Sequence, residues 1–141
     1  MAAVSKDAPV QLFHLLYFSH KCPDQPGLTQ ADQDLFREKN MHLGLTGLLV
    51  EYSGIYLQVI EGRRSEVSTL LNSMIRDTRH SRLTIVRAEQ IDQRFFDKFE
   101  MNHIGEDAVS EKYVRLHFPD QAFCPVQLTG NQLWTFMADL V

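Results

Sequence analysis

Residues 44–61, GLTGLLVEYSGIYLQVIE, decide the fold of this chain. Two apolar runs, 44–51 and 55–61, flank a short Tyr-Ser-Gly link, which predicts two strands joined as a hairpin. Because successive side chains of a strand point to opposite sides, the second strand has two apolar faces. They are made of Tyr56, Gln58 and Ile60 on one side and of Ile55, Leu57 and Val59 on the other. Both faces must therefore be covered by other parts of the chain or by a partner.

Helical periodicity occurs on both sides of this hairpin. A first helix is expected to begin at Thr29, because Asp32 follows at the spacing of a capping box. Its apolar stripe is predicted to consist of Leu28, Ala31 and Leu35, widened by Phe36. A second helix is expected over residues 65–77, where one face carries Val67, Leu70, Leu71, Met74 and Ile75.

Three further strands complete the pattern, at residues 11–18, 83–88 and 98–104. The order of elements is then βαββαββ. This order predicts an α+β, ferredoxin-like fold with one extra strand and with two helices on one face of the sheet.

The chain divides into three expected segments. Residues 1–9 are polar and small and are predicted to form an N-terminal arm. Residues 10–104 form the domain, and residues 105–141 are rich in aromatic and aliphatic side chains. We expect this last segment to be a packed C-terminal extension on the second face of the sheet, although a partner subunit is an alternative cover for that face.

Composition excludes several classes of protein. The chain has 141 residues, which is the length of one domain, and 44% of them are hydrophobic. Lys and Arg number 14 against 18 Asp and Glu, so the net charge is −4 and the basic excess of a nucleic-acid binder is missing. No apolar run approaches the roughly 20 residues of a membrane span. Two cysteines are too few for a disulfide scaffold or a metal cluster, which favours a cytoplasmic location.

Polar residues inside the predicted apolar elements are the candidate site. Gln58 and Tyr17 are expected on the face that the helices cover, where a hydrogen bond between them satisfies both. Asn40 stands at the end of the first helix, where Asn is a common C-terminal cap. Arg79 and His80 follow the second helix, where a positive charge favours the helix dipole. No catalytic motif is found, so an enzyme is not expected. Small hydrolases such as acylphosphatases share the ferredoxin-like fold, but fold alone does not establish function. The sequence after the first strand also lacks the Gly-rich anion loop that such a hydrolase would need.

Five short motifs occur together in an order and spacing typical of one family. They are Tyr17-x-Ser19, Asn40-x-x-x-Gly44-Leu-Thr-Gly47, Leu57-Gln-Val-Ile-Glu-Gly62, Ile75-Arg-Asp-x-Arg-His80 and Phe99-Glu-Met101. Over residues 10–104 the sequence resembles the BLUF domain, the family of blue-light sensors that use flavin. Residues 105–141 resemble the short C-terminal extension of single-domain BLUF proteins.

This resemblance implies a flavin, normally FAD with FMN as an alternative, between the two helices. It implies that Tyr17 is the electron and proton donor, that Gln58 bridges Tyr17 and the flavin, and that Met101 is the signalling position. The resemblance also places Asn40 at the carbonyl edge of the ring, with Arg79 and His80 beside it. Light would then rearrange the hydrogen bonds of Gln58, and the output would reach a protein partner in trans or a homo-oligomeric or larger assembly.

Two residues depart from the family pattern in the first helix. Phe36 stands four residues before Asn40, where a small residue is usual, and Lys39 replaces a usual Asn or His. These departures support an alternative, in which the chain keeps the fold but not the flavin. It would then be a structural or interaction module in a larger assembly, such as a cytoskeletal or axonemal one.

Overall fold

The computed structural model of the chain describes residues 11–96, 101–119 and 123–140. The predicted arm at residues 1–9 and the first half of the predicted last strand lie outside these residues. The strands are β1 (Leu12–Lys21), β2 (Thr46–Tyr52), β3 (Ile55–Arg63), β4 (His80–Ile91) and β5 (Met101–Ile104). The α-helices are α1 (Gln30–His42), α2 (Arg64–Arg76), α3 (Glu111–His117) and α4 (Gly130–Ala138).

The five strands form one mixed sheet in the order β4-β1-β3-β2-β5. All neighbours are antiparallel except β2 and β5, which are parallel. This arrangement confirms the predicted α+β, ferredoxin-like fold with an added strand. The β1–β3 register places Tyr17 directly opposite Gln58 and His14 directly opposite Glu61.

The two faces of the sheet carry separate hydrophobic cores. The face under α1 and α2, here called the helix face, buries Leu15, Tyr17, Leu49, Tyr56 and Ile60 together with Val67 and Leu70 of α2. The opposite face, here called the tail face, buries Leu16, Phe18, Leu57 and Val59 together with Leu133, Phe136 and Met137 of α4. The C-terminal helices therefore cover the second face, as expected. No helix in the described part of the chain is both long and apolar enough to cross a bilayer.

Helix α1 begins as predicted but turns a different stripe inward. The capping box is present, since Thr29 Oγ1 accepts the Asp32 amide and the Asp32 carboxylate accepts the Thr29 amide. The predicted stripe is wrong at Ala31, which is exposed, and at Leu35, which is 65% exposed. The inward side instead carries Phe36 and, one turn later, the buried Asn40, because α1 lies over a cavity rather than directly on the sheet.

In α2 the predicted apolar face includes one residue, Ile75, that is not buried. Val67 and Leu70 are buried and Met74 packs against them, but Ile75 is 61% exposed. The helix ends immediately afterwards at Arg76, so Ile75 lies in its last turn.

Candidate functional site

Tyr17 and Gln58 form a buried hydrogen-bonded pair at the centre of the helix face. Both side chains are at most 3% exposed, and the Tyr17 hydroxyl donates to Gln58 Oε1. Burial, with a smaller contribution from Asp77, raises the pKa of Tyr17 far above its ordinary value, so the phenol is protonated. Gln58 also lines the cavity beside this pair, and the Tyr17 hydroxyl does not use its amide N–H₂ donors.

Asn40 is the one buried residue of α1, and its side chain does not cap the helix. The helix ends in a Schellman motif. In this motif Leu45 N–H donates to Asn40 O at 2.8 Å, and Gly44, just before Leu45, has the left-handed φ of +67°. The cap interpretation is therefore wrong for the side chain, because backbone groups and a left-handed glycine end the helix. Asn40 Oδ1 is buried and has no hydrogen-bond partner in the described residues. A buried acceptor left unpaired costs about 1–3 kcal/mol, so a donor from a ligand or water is expected there.

A cavity of 150 Å³ lies between α1, α2 and the sheet. Its polar lining includes Asn40 and Gln58, and its apolar lining is Leu28, Phe36, Leu49, Leu70 and Met74. Apolar walls with a few convergent polar groups are typical of a small-molecule site. The sequence prediction placed Tyr17, Gln58 and Asn40 in one site; the structure has Tyr17 bonded to Gln58, with Gln58 and Asn40 lining one cavity.

His80 joins three elements at one end of this cavity. Its Nε2 lies 2.6 Å from the carbonyl oxygen of Met74, in the last turn of α2, so Nε2–H is the donor there. Its Nδ1 lies 2.6 Å from Ser19 Oγ on β1. His80 thus binds the carbonyl end of α2, as its position in the sequence indicated, and the contact with Ser19 fixes the imidazole against β1.

Arg79 lies at the rim, between two carboxylates. Its guanidinium is 2.7 Å from Asp77 Oδ2 and 3.3 Å from Asp32 Oδ1, and it stacks over the Phe36 ring at 5.2 Å. Hydrogen bonds from Arg79 hold the pKa of Asp77 below its ordinary value. Arg79 therefore fixes the side chain of Phe36 over the cavity, and it links α1 to the segment that follows α2.

The family model described as BLUF, sensors of blue-light using FAD, matches residues 12–102. The chain belongs to the BLUF family. Its members are light sensors, and the family binds flavin.

Solved BLUF structures have the same fold. The photo-activated state of BlsA is 22% identical, with a TM-score of 0.77, over 92% of this chain and 94% of that one. The dark state of BlrB, a BLUF protein, is 24% identical, with a TM-score of 0.72, over 95% and 100%. A bacterial light-regulated adenylyl cyclase is 24% identical, with a TM-score of 0.65, over 74% of this chain but only 31% of that one. No curated protein sequence matches the chain.

The residues of the cavity fit the polar edge of a flavin. A flavin ring presents both N–H and carbonyl groups on that edge, and the cavity offers the unpaired Oδ1 of Asn40 and the amide of Gln58. The volume is smaller than a three-ring system requires, since a cavity of about 150 Å³ holds one benzene ring. Entry of a three-ring system would therefore require lining side chains such as Phe36 and Arg79 to move.

The remaining predicted site residue, Met101, belongs to β5. It pairs in parallel with Gly47 of β2, which places it at the edge of the sheet beside the hairpin. Its side chain lies outside what the structure describes, as does Phe99 of the same motif.

Several site residues were not predicted from the sequence. Ser73 and Tyr56 line the cavity, and Asp32 and Asp77 hold Arg79. The signal for Ser73 was its position on α2 between Leu70 and Met74, where a helical residue borders the inward face. The pairing of Asp32 with Arg79 had no sequence signal, because 47 residues separate the two.

Proposed function

We propose that this chain is a blue-light photoreceptor that holds a flavin between α1 and α2 and signals to a protein partner in trans by rearranging the Tyr17–Gln58 hydrogen bond. The observation that carries the proposal is Asn40 Oδ1, buried without a partner in the cavity that Gln58 lines. Nothing in the packing of an empty domain requires an amide at this position. A ligand with a hydrogen-bond donor accounts for it.

Bound flavin supplies a strong one-electron oxidant when it absorbs blue light. Tyr17 is the residue placed to respond, because an oxidised phenol becomes a strong acid and its hydroxyl already donates to Gln58 Oε1. Tyr17 would give the electron to the flavin; the proton released from the Tyr17 hydroxyl would pass to Gln58 Oε1 while the N–H₂ end of Gln58 gives up a proton toward the flavin, so that charge balances. Rotation or tautomerisation of the Gln58 side chain then exchanges its donor and acceptor ends. The switch requires no movement of the strands that carry the two residues.

On the opposite side of the sheet, a second buried polar group of β3 holds the segment that precedes β5. Glu61 follows Gln58 by three residues on β3, but its side chain is on the tail face. Its Oε1 accepts the backbone N–H groups of Phe95 and Phe96 at 2.9 and 2.8 Å. The segment that these bonds anchor precedes β5, which carries Met101, and the proposal assigns the signalling role to Met101.

The test is the absorption spectrum of the purified protein before and after blue light. A flavin spectrum with a small, reversible red shift is expected. Gln58→Leu should retain the flavin and the fold but lose the shift, because leucine has no donor or acceptor to exchange. A shift that persists in Gln58→Leu overturns the assigned mechanism, and a protein that binds no flavin overturns the proposal.

A second candidate function follows from Phe36 and Lys39. Arg79 stacks on Phe36, and Lys39 Nζ donates to Ser73 Oγ at 2.9 Å, so two contacts bridge the cavity from α1 to α2 and the segment after it and partly close it. This closure favours a flavin-free interaction module of the same fold. Phe36→Ala distinguishes the two candidates. The module is supported if the native protein stays colourless with added flavin and Phe36→Ala turns yellow, and it is excluded if the native protein binds flavin.

A further inference from the structure

A second depression, here called the β4 groove, lies between the last turn of α2 and the first half of β4. It is open to solvent and has a volume of about 640 Å³. Its apolar lining is Met74 and Ile75 from α2 and Leu83 and Ile85 from β4. Ile75 is 61% exposed and Ile85 is 52% exposed. Apolar side chains that converge on one open groove with polar borders are typical of a surface that binds another protein.

The charge at the β4 groove is positive and unbalanced. Arg82 lines the groove, and Arg76 follows Ile75 at the end of α2. Both arginines are exposed, and neither forms an ion pair within the described residues. No described residue that lines the groove is acidic. Burial, with a smaller contribution from the charge of Arg82, also lowers the pKa of the neighbouring His20. An occupant that carries carboxylates therefore complements the groove.

The edge of β4 disfavours a second copy of the chain as the occupant. Among the described strands β4 pairs only with β1, and that pairing shifts register twice, after Leu16 and after Phe18. Such irregularities hinder the regular addition of another strand. Two copies would also bring two positively charged grooves together. Residues 1–10 carry both a lysine and an aspartate, so they do not supply the missing negative charge either.

We propose that the β4 groove docks an acidic segment of a protein partner, in which apolar side chains stand among the carboxylates. The apolar side chains cover Ile75 and Ile85, and the carboxylates pair with Arg76 and Arg82. The inference rests on the partner in trans of the proposed function and adds the chemistry of that partner and its place of contact.

The β4 groove shares part of its wall with the cavity between α1 and α2. Met74 and His80 line both, and His80 Nε2 lies 2.6 Å from the carbonyl oxygen of Met74. A change in the cavity that moves either residue therefore reaches the groove directly. The shared wall places the docking surface beside the site that the proposed function assigns to flavin.

The test is the fluorescence anisotropy of a rhodamine-labelled probe peptide as long as β4, with leucine at every third position and glutamate elsewhere. The native protein is expected to bind this peptide, and the affinity should fall as salt is added because the ion pairs are exposed. A second probe with lysine in place of each glutamate should bind at least about tenfold more weakly, because it brings like charges to Arg76 and Arg82.

Four variants at exposed positions separate the groove from the rest of the surface. Arg82→Gln removes the cation that lines the groove, and Ile75→Gln removes its most exposed apolar side chain. Each should weaken binding of the glutamate probe about threefold or more, the effect of one exposed ion pair or one apolar contact. Arg115→Gln and Leu116→Gln remove the same kinds of side chain from α3 and should leave the affinity as in the native protein. Urea unfolding checks that all four variants remain folded.

A loss of affinity confined to the two groove variants supports the proposal. A glutamate probe that does not bind, that binds all four variants alike, or that binds no better than the lysine probe overturns it. Displacement of the probe by a synthetic peptide of residues 1–10 assigns the groove to the chain's own N-terminal segment and overturns the proposal. A dimer in light scattering that Ile75→Gln dissociates assigns the groove to a second copy and overturns it as well.

The same measurements, made with and without added flavin, separate this inference from the photoreceptor. If the probe binds a protein that takes up no flavin, the docking surface stands and the photoreceptor is overturned. If the protein shows the reversible red shift but does not bind the probe, the photoreceptor stands and the docking surface is overturned.

Discussion

His14 and Glu61 face each other across the β1–β3 ladder, with His14 Nδ1 2.9 Å from Glu61 Oε2, on the side of the sheet opposite to Tyr17 and Gln58. Both side chains are buried. The Trp134 ring of α4 packs edge-on against His14 at 5.0 Å. One buried pair therefore connects β1, β3 and the C-terminal helix.

Glu61→Gln tests how much this pair stabilises the domain. One carboxylate oxygen accepts two backbone amides and the other lies 2.9 Å from His14 Nδ1, so glutamine would replace a charged acceptor by a neutral amide and turn its N–H₂ toward His14. Losing a charged acceptor from a buried hydrogen-bond arrangement of this kind costs about 1–3 kcal/mol, so a loss of that order is expected in urea unfolding. Glu38→Gln, at an exposed position of α1, is the control and should change stability by no more than about 0.5 kcal/mol. A loss below about 1 kcal/mol in Glu61→Gln would contradict the role assigned to the pair.

Tyr17→Phe should abolish the light-induced spectral shift. The substitution leaves Gln58 Oε1 without its donor, so it should also reduce the free energy of unfolding by about 1–3 kcal/mol. Tyr113→Phe is a matched control, since that hydroxyl donates to Phe136 O at 2.6 Å on the tail face. Loss of either hydroxyl weakens the fold, but only the Tyr17 variant should lose the response to light. Equal loss of response in both would show that stability, not the hydroxyl of Tyr17, controls the spectrum.

Asn40→Leu should affect the empty and the flavin-bound protein in opposite directions. Without flavin, removal of an unpaired buried acceptor should leave the stability unchanged or raise it by about 1 kcal/mol. With flavin, the same change should weaken binding at least about tenfold, because a buried donor of the ligand loses its partner. Flavin titration and urea unfolding on the same samples measure both effects. Asn72→Leu, at an exposed position of α2, should change neither. A destabilised empty Asn40→Leu protein would show that Asn40 serves the fold and not a ligand.

Arg79→Gln should make the free energy of unfolding less dependent on pH in the acidic range than it is in the native protein. The pKa of Asp77 is held below its ordinary value of 3.8, so its pairing with Arg79 stabilises the fold above that pH and is lost as the pH falls through the lowered value. The variant should therefore be less stable than the native protein at pH 7, by about 1 kcal/mol or less because the pair is partly exposed. The difference in stability between the variant and the native protein should narrow below pH 3.8. Urea unfolding at a series of pH values above and below 3.8 measures it. Arg115→Gln, which removes an exposed pair with Glu111, is the control and should show little effect at either pH. A difference that widens toward low pH would contradict the assignment.

Local patterns in the sequence determined the order of elements and the faces of the central strands. Alternation in β3 places Gln58 on the helix face, and the capping box starts α1 at Thr29, because both depend on residues within a few positions of each other. Strands β1 and β4 extend beyond the ends that the sequence predicted for them. Their outer residues pair with each other, from Leu12 with Ile91 to Lys21 with His80, and a pairing partner so distant in the chain leaves no local signal.

The tertiary structure decided what surrounds the site. The local pattern indicated a helix cap at Asn40, and the resemblance assigned Asn40 to the flavin; only the packed α1 shows that the residue lines the cavity. Likewise, the stacking of Arg79 on Phe36 and the pairing of His14 with Glu61 join residues from distant elements. Hydrophobic periodicity specifies which way a strand or helix faces, but a hydrogen bond between polar groups forms only where the folded chain brings them within reach. For this protein, the sequence by itself determined the domain and its family motifs, and the folded chain determined which charges and amides meet at the cavity.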